Sequence, residues 1–174
     1  MDSGVKYTAT DAVISASGFH RYTLERDWSL ADPENQRRVC WVMLNPSTAD
    51  SVEDDATIRR CVRFSMDWGY TSLVVVNLFA YRTRNPKLLR NVWREFAIGP
   101  DNDDAIRAAA LNSSLVVCAW GVHGAMHGRS NAVRRLLQSV GTRPKALGIT
   151  RDGEPAHPLY VPASRQPEEM PWLS

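Results

Sequence analysis

Apolar residues along the chain gather into short blocks, and each block stops on a polar residue or a glycine. Residues 39–44 run apolar and halt at Asn45-Pro46. So short a run, closed by a proline, reads as a buried strand. Pro46 keeps Asn45 out of the helical region, so the strand stays extended through Asn45 and then breaks. Residues 72–77 make a second such strand, ending on Asn77. Residues 114–121 make a third, ending on Trp120-Gly121, and residues 145–149 a fourth. Ahead of these, residues 19–28 alternate: His20, Tyr22, Leu24 and Arg26 form one row, and Phe19, Arg21, Thr23 and Glu25 the other. With Tyr22, Leu24 and Trp28 turned to the core, this segment is an expected edge strand.

Between the strands the period becomes helical. Asp54-Asp55 offers an N-cap, Ile58, Cys61, Val62, Ser65 and Trp68 make an apolar stripe, and Gly69 ends the helix. Asp101 is the expected cap of the next helix, with Asp103 and Asp104 in its first turn, where carboxylates suit the dipole. Ala132, Val133, Leu136, Leu137 and Val140 form a further stripe closed by Gly141. Residues 1–18 read as a flexible lead-in, 29–38 as a polar loop around Asp32-Pro33, and 122–128 as a mobile surface loop. Residues 78–100 are a long connection with a short helix after Pro86, and 161–174 a Pro-rich tail. Strands alternating with helices argue βαβ units. The expected fold is a single α/β domain over 19–174: three layers, α/β/α, around a mostly parallel four-stranded sheet plus an edge strand.

Composition narrows the class without naming a function. Hydrophobic residues make up 44% and charged ones 23%, which suits a soluble domain. No apolar run approaches membrane-spanning length and the N-terminus lacks a signal pattern, so a cytoplasmic protein is expected. Cys40, Cys61 and Cys118 each sit in an apolar pattern, at spacings that fit neither a disulfide framework nor a zinc site; reduced core thiols are expected. The net charge of +2 implies no polyanion partner, but residues 51–150 carry 14 Lys+Arg against 8 Asp+Glu, a net +6. Of the 21 basic residues 18 are Arg, which suits bidentate phosphate contact, although a GC-rich genome gives the same bias. In the long connection, Arg82, Arg84, Lys87, Arg90 and Arg94 interleave with Tyr81, Trp93 and Phe96, a mixture suited to nucleic acid. Trp93 and Phe96 are nevertheless assigned to the core. Arg59, Arg60 and Arg63 lie off the apolar stripe of their helix, the usual mark of a solvated face.

Four features recur at one topological place. Asn45-Pro46, Asn77 and Trp120-Gly121 end the first three parallel strands, and His157-Pro158 lies beyond the fourth. In a right-handed βαβ sheet they gather outside the carboxyl ends of the strands, where such sheets bind ligands. Asn45 can hold a water through its carbonyl oxygen. Asn77 offers donors and an acceptor to an amide-like edge such as that of a pyrimidine. His157 can donate to an oxygen gaining negative charge, and Gly121 permits close backbone approach. This set suits hydrolysis of an N-glycosidic bond without metal or cofactor. Asp50 is near enough to Asn45 to line the same pocket. Asp54 and Asp55 read as helix caps, not as metal ligands.

Over residues 39–160 this order resembles the uracil-DNA glycosylase superfamily, and its Asn-Pro form is similar to the mismatch-specific uracil/thymine and single-strand-selective branches. The resemblance implies a glycosylase-like fold, Asn45 as the water-positioning residue, Asn77 as the base reader and His157 as the contact to a base oxygen. Pro46, Ser47, Phe79, Trp120 and Gly121 would complete the substrate pocket, with Phe79, Tyr81 or Phe64 as candidate stacking rings. Ser47 stands where those branches favour Gly, and Leu159-Tyr160 follows His-Pro where a wedge loop is expected. Longer stretches look like signatures of the bacterial and phage family called domain of unknown function 1643 (DUF1643). These are Leu44-Asn-Pro-Ser-Thr-Ala-Asp50, Asp54-Asp-Ala-Thr-Ile-Arg-Arg60, Asn77-Leu-Phe-Ala-Tyr81, Gly99-Pro-Asp-Asn102, Ala119-Trp-Gly121 and His157-Pro-Leu-Tyr160. The expected function is a metal-independent DNA glycosylase-like enzyme that removes a deaminated or modified base. It would be monomeric and meet DNA through Arg59, Arg60, Arg82 and Arg84. The rivals are an enzyme of modified nucleoside or nucleotide metabolism and a non-catalytic reader of modified bases.

Overall fold

A computed structural model of the chain describes residues 5–29, 36–47 and 52–171. The sheet is built from β1 (Ala9–Ile14), β2 (Arg21–Asp27), β3 (Arg38–Met43), β4 (Ser72–Asn77), β5 (Leu115–Cys118), β6 (Lys145–Ala146) and β7 (Glu168–Glu169). Helices α1 (Ala56–Asp67), α2 (Arg94–Ile98), α3 (Asn102–Leu111) and α4 (Arg129–Ser139) fill the connections. The strand order is β1-β2-β4-β3-β5-β6-β7. β4, β3, β5 and β6 run parallel, while β1, β2 and β7 join antiparallel at the flanks.

Both faces of the central strands are buried, and this is why they read as unbroken apolar runs. Successive side chains of β3 go to opposite cores: Val39, Trp41 and Met43 to one, Cys40 and Val42 to the other. The first core takes Ile58, Cys61, Val62 and Phe64 of α1. The second takes Ile106, Ala109 and Ala110 of α3 with Val133, Leu136 and Leu137 of α4. Helices thus cover both faces, as expected of a three-layer α/β domain. The cap of α1 is Asp55, whose carboxylate accepts from the Ile58 amide at 2.8 Å. The three thiols are free and buried. Burial raises each of their pKa values, that of Cys40 to about 12.

Polar groups inside the fold are paired across distant elements. Arg26, on the core row of β2, forms an ion pair with Asp54 at 2.8 Å, and Tyr7 also donates to that carboxylate. Breaking such a buried pair by removing one partner costs about 3–5 kcal/mol. Arg129 donates to the carbonyl of Leu78 at 2.7 Å and pairs with Asp103. Asn102 donates to the carbonyls of Asn77 and Leu78 at 2.9 and 3.1 Å, fixing the end of β4.

The flanks differ from the sequence reading. Ala9–Ile14, inside the expected lead-in, forms β1 and covers β2, so β2 is not an edge. β1 is exposed along most of its length and had no apolar row to reveal it. The fourth parallel strand shrinks from 145–149 to Lys145–Ala146. Gly148 takes φ +143° there, and Ile149 bridges back to Pro155. The loop 122–128 forms 3-10 turns broken at Met126 and His127. Trp93 is 82% exposed and Phe96 44%, so neither is a core residue. Trp93 precedes a five-residue helix that presents only Ala97 fully inward. The loop around Asp32-Pro33 and the candidate Asp50 lie outside the described residues.

Candidate functional site

The chain leaves β3 towards α1 on one face of the sheet, and leaves β4 and β5 towards helices on the other face. β3 lies between β4 and β5, so a crevice opens at its carboxyl end. A cavity of about 480 Å³ occupies it. Its walls come from residues 43–47 after β3, the start of α1, the end of β4, residues 83–86, residues 120–123, and residues 156–160. The volume lies within the usual range for small-molecule sites.

Asn45, Ser47, Asn77, Trp120, Gly121, His157 and Arg84 all line this cavity. Asn45 is half-buried, and its Nδ2 donates to the carbonyls of Pro46 and Thr83 at 3.0 and 2.8 Å. Both amide protons are thereby committed to backbone, and the group left to act in the cleft is the acceptor Oδ1. Asn77 is 1% exposed. Among the described residues nothing accepts from its Nδ2. A buried amide nitrogen without an acceptor is costly, and Asn77 is one of the residues that line the cavity.

His157 is half-buried at the start of the turn Pro158–Tyr160, and its Nδ1 accepts from the Leu159 amide at 3.3 Å. An acceptor at Nδ1 puts the proton of the neutral ring on Nε2, making that nitrogen a donor. Burial lowers the His157 pKa, while the Asp55 charge pulls it the other way. The ring is therefore neutral at pH 7. Asp55 is the cavity's one carboxylate among the described residues. Its Oδ1 caps α1, and its Oδ2 accepts from the Ser47 hydroxyl at 2.5 Å.

A buried network holds the far wall. Glu154, 5% exposed, accepts from Trp120 Nε1 at 2.6 Å, Ser130 Oγ at 2.9 Å and Arg134 at 3.1 Å. The Gly121 amide donates to the carbonyl of Pro155 at 2.8 Å. These bonds tie the end of β5 to the segment that delivers His157. Gly124 has no room for a side chain, because a Cβ there would stand 2.1 Å from Trp120 Cδ1.

Other sequence candidates lie elsewhere. Phe79 is fully buried in the core and does not line the cavity; nor does Pro46, which is buried behind it and accepts from the Thr83 amide. Phe64 is also core. Arg60 donates to the carbonyls of Pro158 and Val161 at 3.3 and 2.7 Å, so it braces the His157 turn. Arg82 donates to Gly18 at 3.1 Å and Arg59 to the carbonyl of Asp54. Arg84 is exposed at the cavity. Arg21, Thr57, Thr83, His123, Thr150 and Tyr160 also line it, none of them an expected pocket residue, and Glu154 supports it. Arg21 is concealed by its place on the outward row of an alternating strand. Glu154 sits in a stretch with no periodicity at all.

The chain matches a family described as "Protein of unknown function (DUF1643)" over residues 21–159. No curated protein and no solved structure matches it.

Proposed function

We propose that this chain, which belongs to the DUF1643 family, is a metal-independent hydrolase of the N-glycosidic bond of a deaminated or modified nucleobase, with DNA as its substrate. The observation that carries this reading is the pair of asparagines. The buried Nδ2 of Asn77 asks for an acceptor on a ligand, and the clamped amide of Asn45 offers Oδ1 to a water. A base whose carbonyl meets Asn77 would bring its sugar carbon towards that water. Water then adds its oxygen to the anomeric carbon, and the carbon–nitrogen bond breaks with its electron pair leaving on the base. His157 Nε2–H donates to the base oxygen where that charge collects, and the water's proton passes to solvent. One preorganised donor of this kind contributes about a hundredfold in rate. We attach the glycosylase-like description to the parallel core on the same grounds. The test is incubation with oligonucleotides carrying deaminated, damaged and hypermodified bases, scored for abasic sites, with Asn45→Ala as control. Absence of base release from every such substrate sinks the catalytic reading.

One observation favours the rival in which the substrate is a free nucleoside or nucleotide. Arg60 and Arg82, two of the arginines expected to meet DNA phosphates, hydrogen-bond the chain's own carbonyls. The cavity is also large enough to enclose more than a flipped base. Release of base from free nucleotides but not from oligonucleotides decides for the rival.

A further inference from the structure

Phe64, Phe79 and Tyr81, the expected stacking rings, do not line the cavity. Besides two histidines, Trp120 and Tyr160 do. Trp120 is 1% exposed, with its Nε1 donating to Glu154, and forms a fixed wall. Tyr160 is 85% exposed. Among the described residues its ring meets one other ring, that of His157, with centroids 5.5 Å apart and planes tilted by 47°. Most of its aromatic surface is therefore open at the edge of the cavity.

The backbone beneath this exposed ring is braced. The Tyr160 amide donates to the His157 carbonyl at 3.0 Å. Arg60 of α1 donates to the carbonyls on either side, of Pro158 at 3.3 Å and Val161 at 2.7 Å. The Arg60 guanidinium is itself seated 4.7 Å from the centroid of Phe64, a core ring. Pro158 is the one buried residue of the turn Pro158–Tyr160. A turn that buries so little contributes little to the core, so the bracing serves what it carries to the cleft, namely His157 and Tyr160.

We propose that Tyr160 stacks on the face of a planar ring bound in the cleft, so that the turn supplying the His157 donor also supplies the cover. This rests on the nucleobase reading of the site and specifies how the base is held. A tyrosine side chain has two χ angles, so ordering it over a ligand costs little. Stacking acts on the π-face of a base and not on its hydrogen-bonding edge. The cleft should therefore prefer an aromatic base to a saturated one with the same edge.

The test is titration calorimetry of the full chain with uracil and 5,6-dihydrouracil. The second keeps both carbonyls and both N–H groups of uracil but loses the flat aromatic ring. Uracil should bind roughly tenfold more tightly, the worth of one stacked base. Tyr160→Ala should erase that preference with an unchanged thermal melt, because the side chain is exposed, and Tyr160→Phe should keep it. Equal binding of the two ligands by the wild-type chain overturns the proposal and leaves the nucleobase reading standing. A preference that survives Tyr160→Ala overturns it in favour of another ring. Tyr160→Phe behaving as Tyr160→Ala does overturns it in favour of a contact through the hydroxyl. Binding of neither ligand overturns both readings.

Discussion

The side-chain nitrogen of Asn45 donates to the carbonyl of Thr83 at 2.8 Å, across 38 residues of chain. That bond joins the end of β3 to the connection that walls the cleft, and it sets which end of the amide acts there. Asn45→Ala should lower base release on the order of a hundredfold, because a misplaced reactant costs about that much. It should also cost about 1–3 kcal/mol of stability, since the Thr83 carbonyl loses this donor while the Pro46 carbonyl keeps only the Thr83 amide. Asn45→Asp should be worse for folding, because it sets carboxylate oxygens against those carbonyls. Thermal melts beside base-release assays check both. Undiminished release from Asn45→Ala removes the water-holding role.

The His157 ring supplies a pH signature. Burial holds its folded pKa below the unfolded value, so the unfolded chain binds the extra proton first as pH falls. The neutral ring's contribution to stability is full above the unfolded value of about 6.5, and it is lost as pH falls through the folded one. Protonation also ends acceptance from the Leu159 amide. Urea melts across this range should show stability falling on the acid side, and His157→Gln should flatten the trend. Release of base should hold at pH 7 and decline as protonation at lower pH breaks the Leu159 bond that orients the ring.

The exposed ring of Trp93 bears on nucleic-acid binding. Lys87 and Arg90 are spaced i, i+3 in the 3-10 turn Pro86–Arg90, and such positions eclipse. Trp93 and Arg94 follow directly, and Pro86 already lines the cavity. If single-stranded DNA crosses this surface, Trp93→Ala should weaken it by about 1–3 kcal/mol, the worth of one stacked base. Replacing Lys87 and Arg90 with Ala should reduce the salt slope by roughly 0.7 per lost contact. Quenching of tryptophan emission by oligonucleotide, titrated at several salt concentrations, measures both. Affinity that ignores salt and Trp93 argues for the free-nucleotide substrate.

Gly124 tests the wall. An added Cβ meets the Trp120 ring, so Gly124→Ala must displace the indole or the backbone. Overpacking of this kind costs about 1–3 kcal/mol. The variant should lose ligand binding along with part of its stability. Retained affinity and an unchanged melt would show that Trp120 has room to yield.

The elements legible in the sequence were those with both faces buried or with a strong stripe. β3, β4 and α1 carry apolar residues at every position, or every turn, that meets a core. The ends of β3, β4 and β5 bring Asn45, Asn77 and Gly121 together, because parallel topology forces strand ends to one side. β1 escaped because an exposed strand stabilised by pairing leaves no hydrophobic period. Arg21 escaped because its row pointed to solvent by alternation, while the packed elements around β2 bury it. Arg60 and Arg82 illustrate the reverse: a charge count cannot tell a phosphate contact from a guanidinium bound to a nearby carbonyl. Trp93, an expected core residue, is exposed, because the helix it precedes is too short to turn it inward.

The thiols of Cys40 on β3, Cys118 on β5 and Cys61 on α1 are all fully enclosed, and burial suppresses their thiolates. An alkylating reagent can reach them only when the sheet parts from its helices. The rate at which the native chain is labelled therefore counts openings of the central sheet. Ligand in the cleft at the end of β3 should slow that labelling by the factor with which it holds the sheet closed.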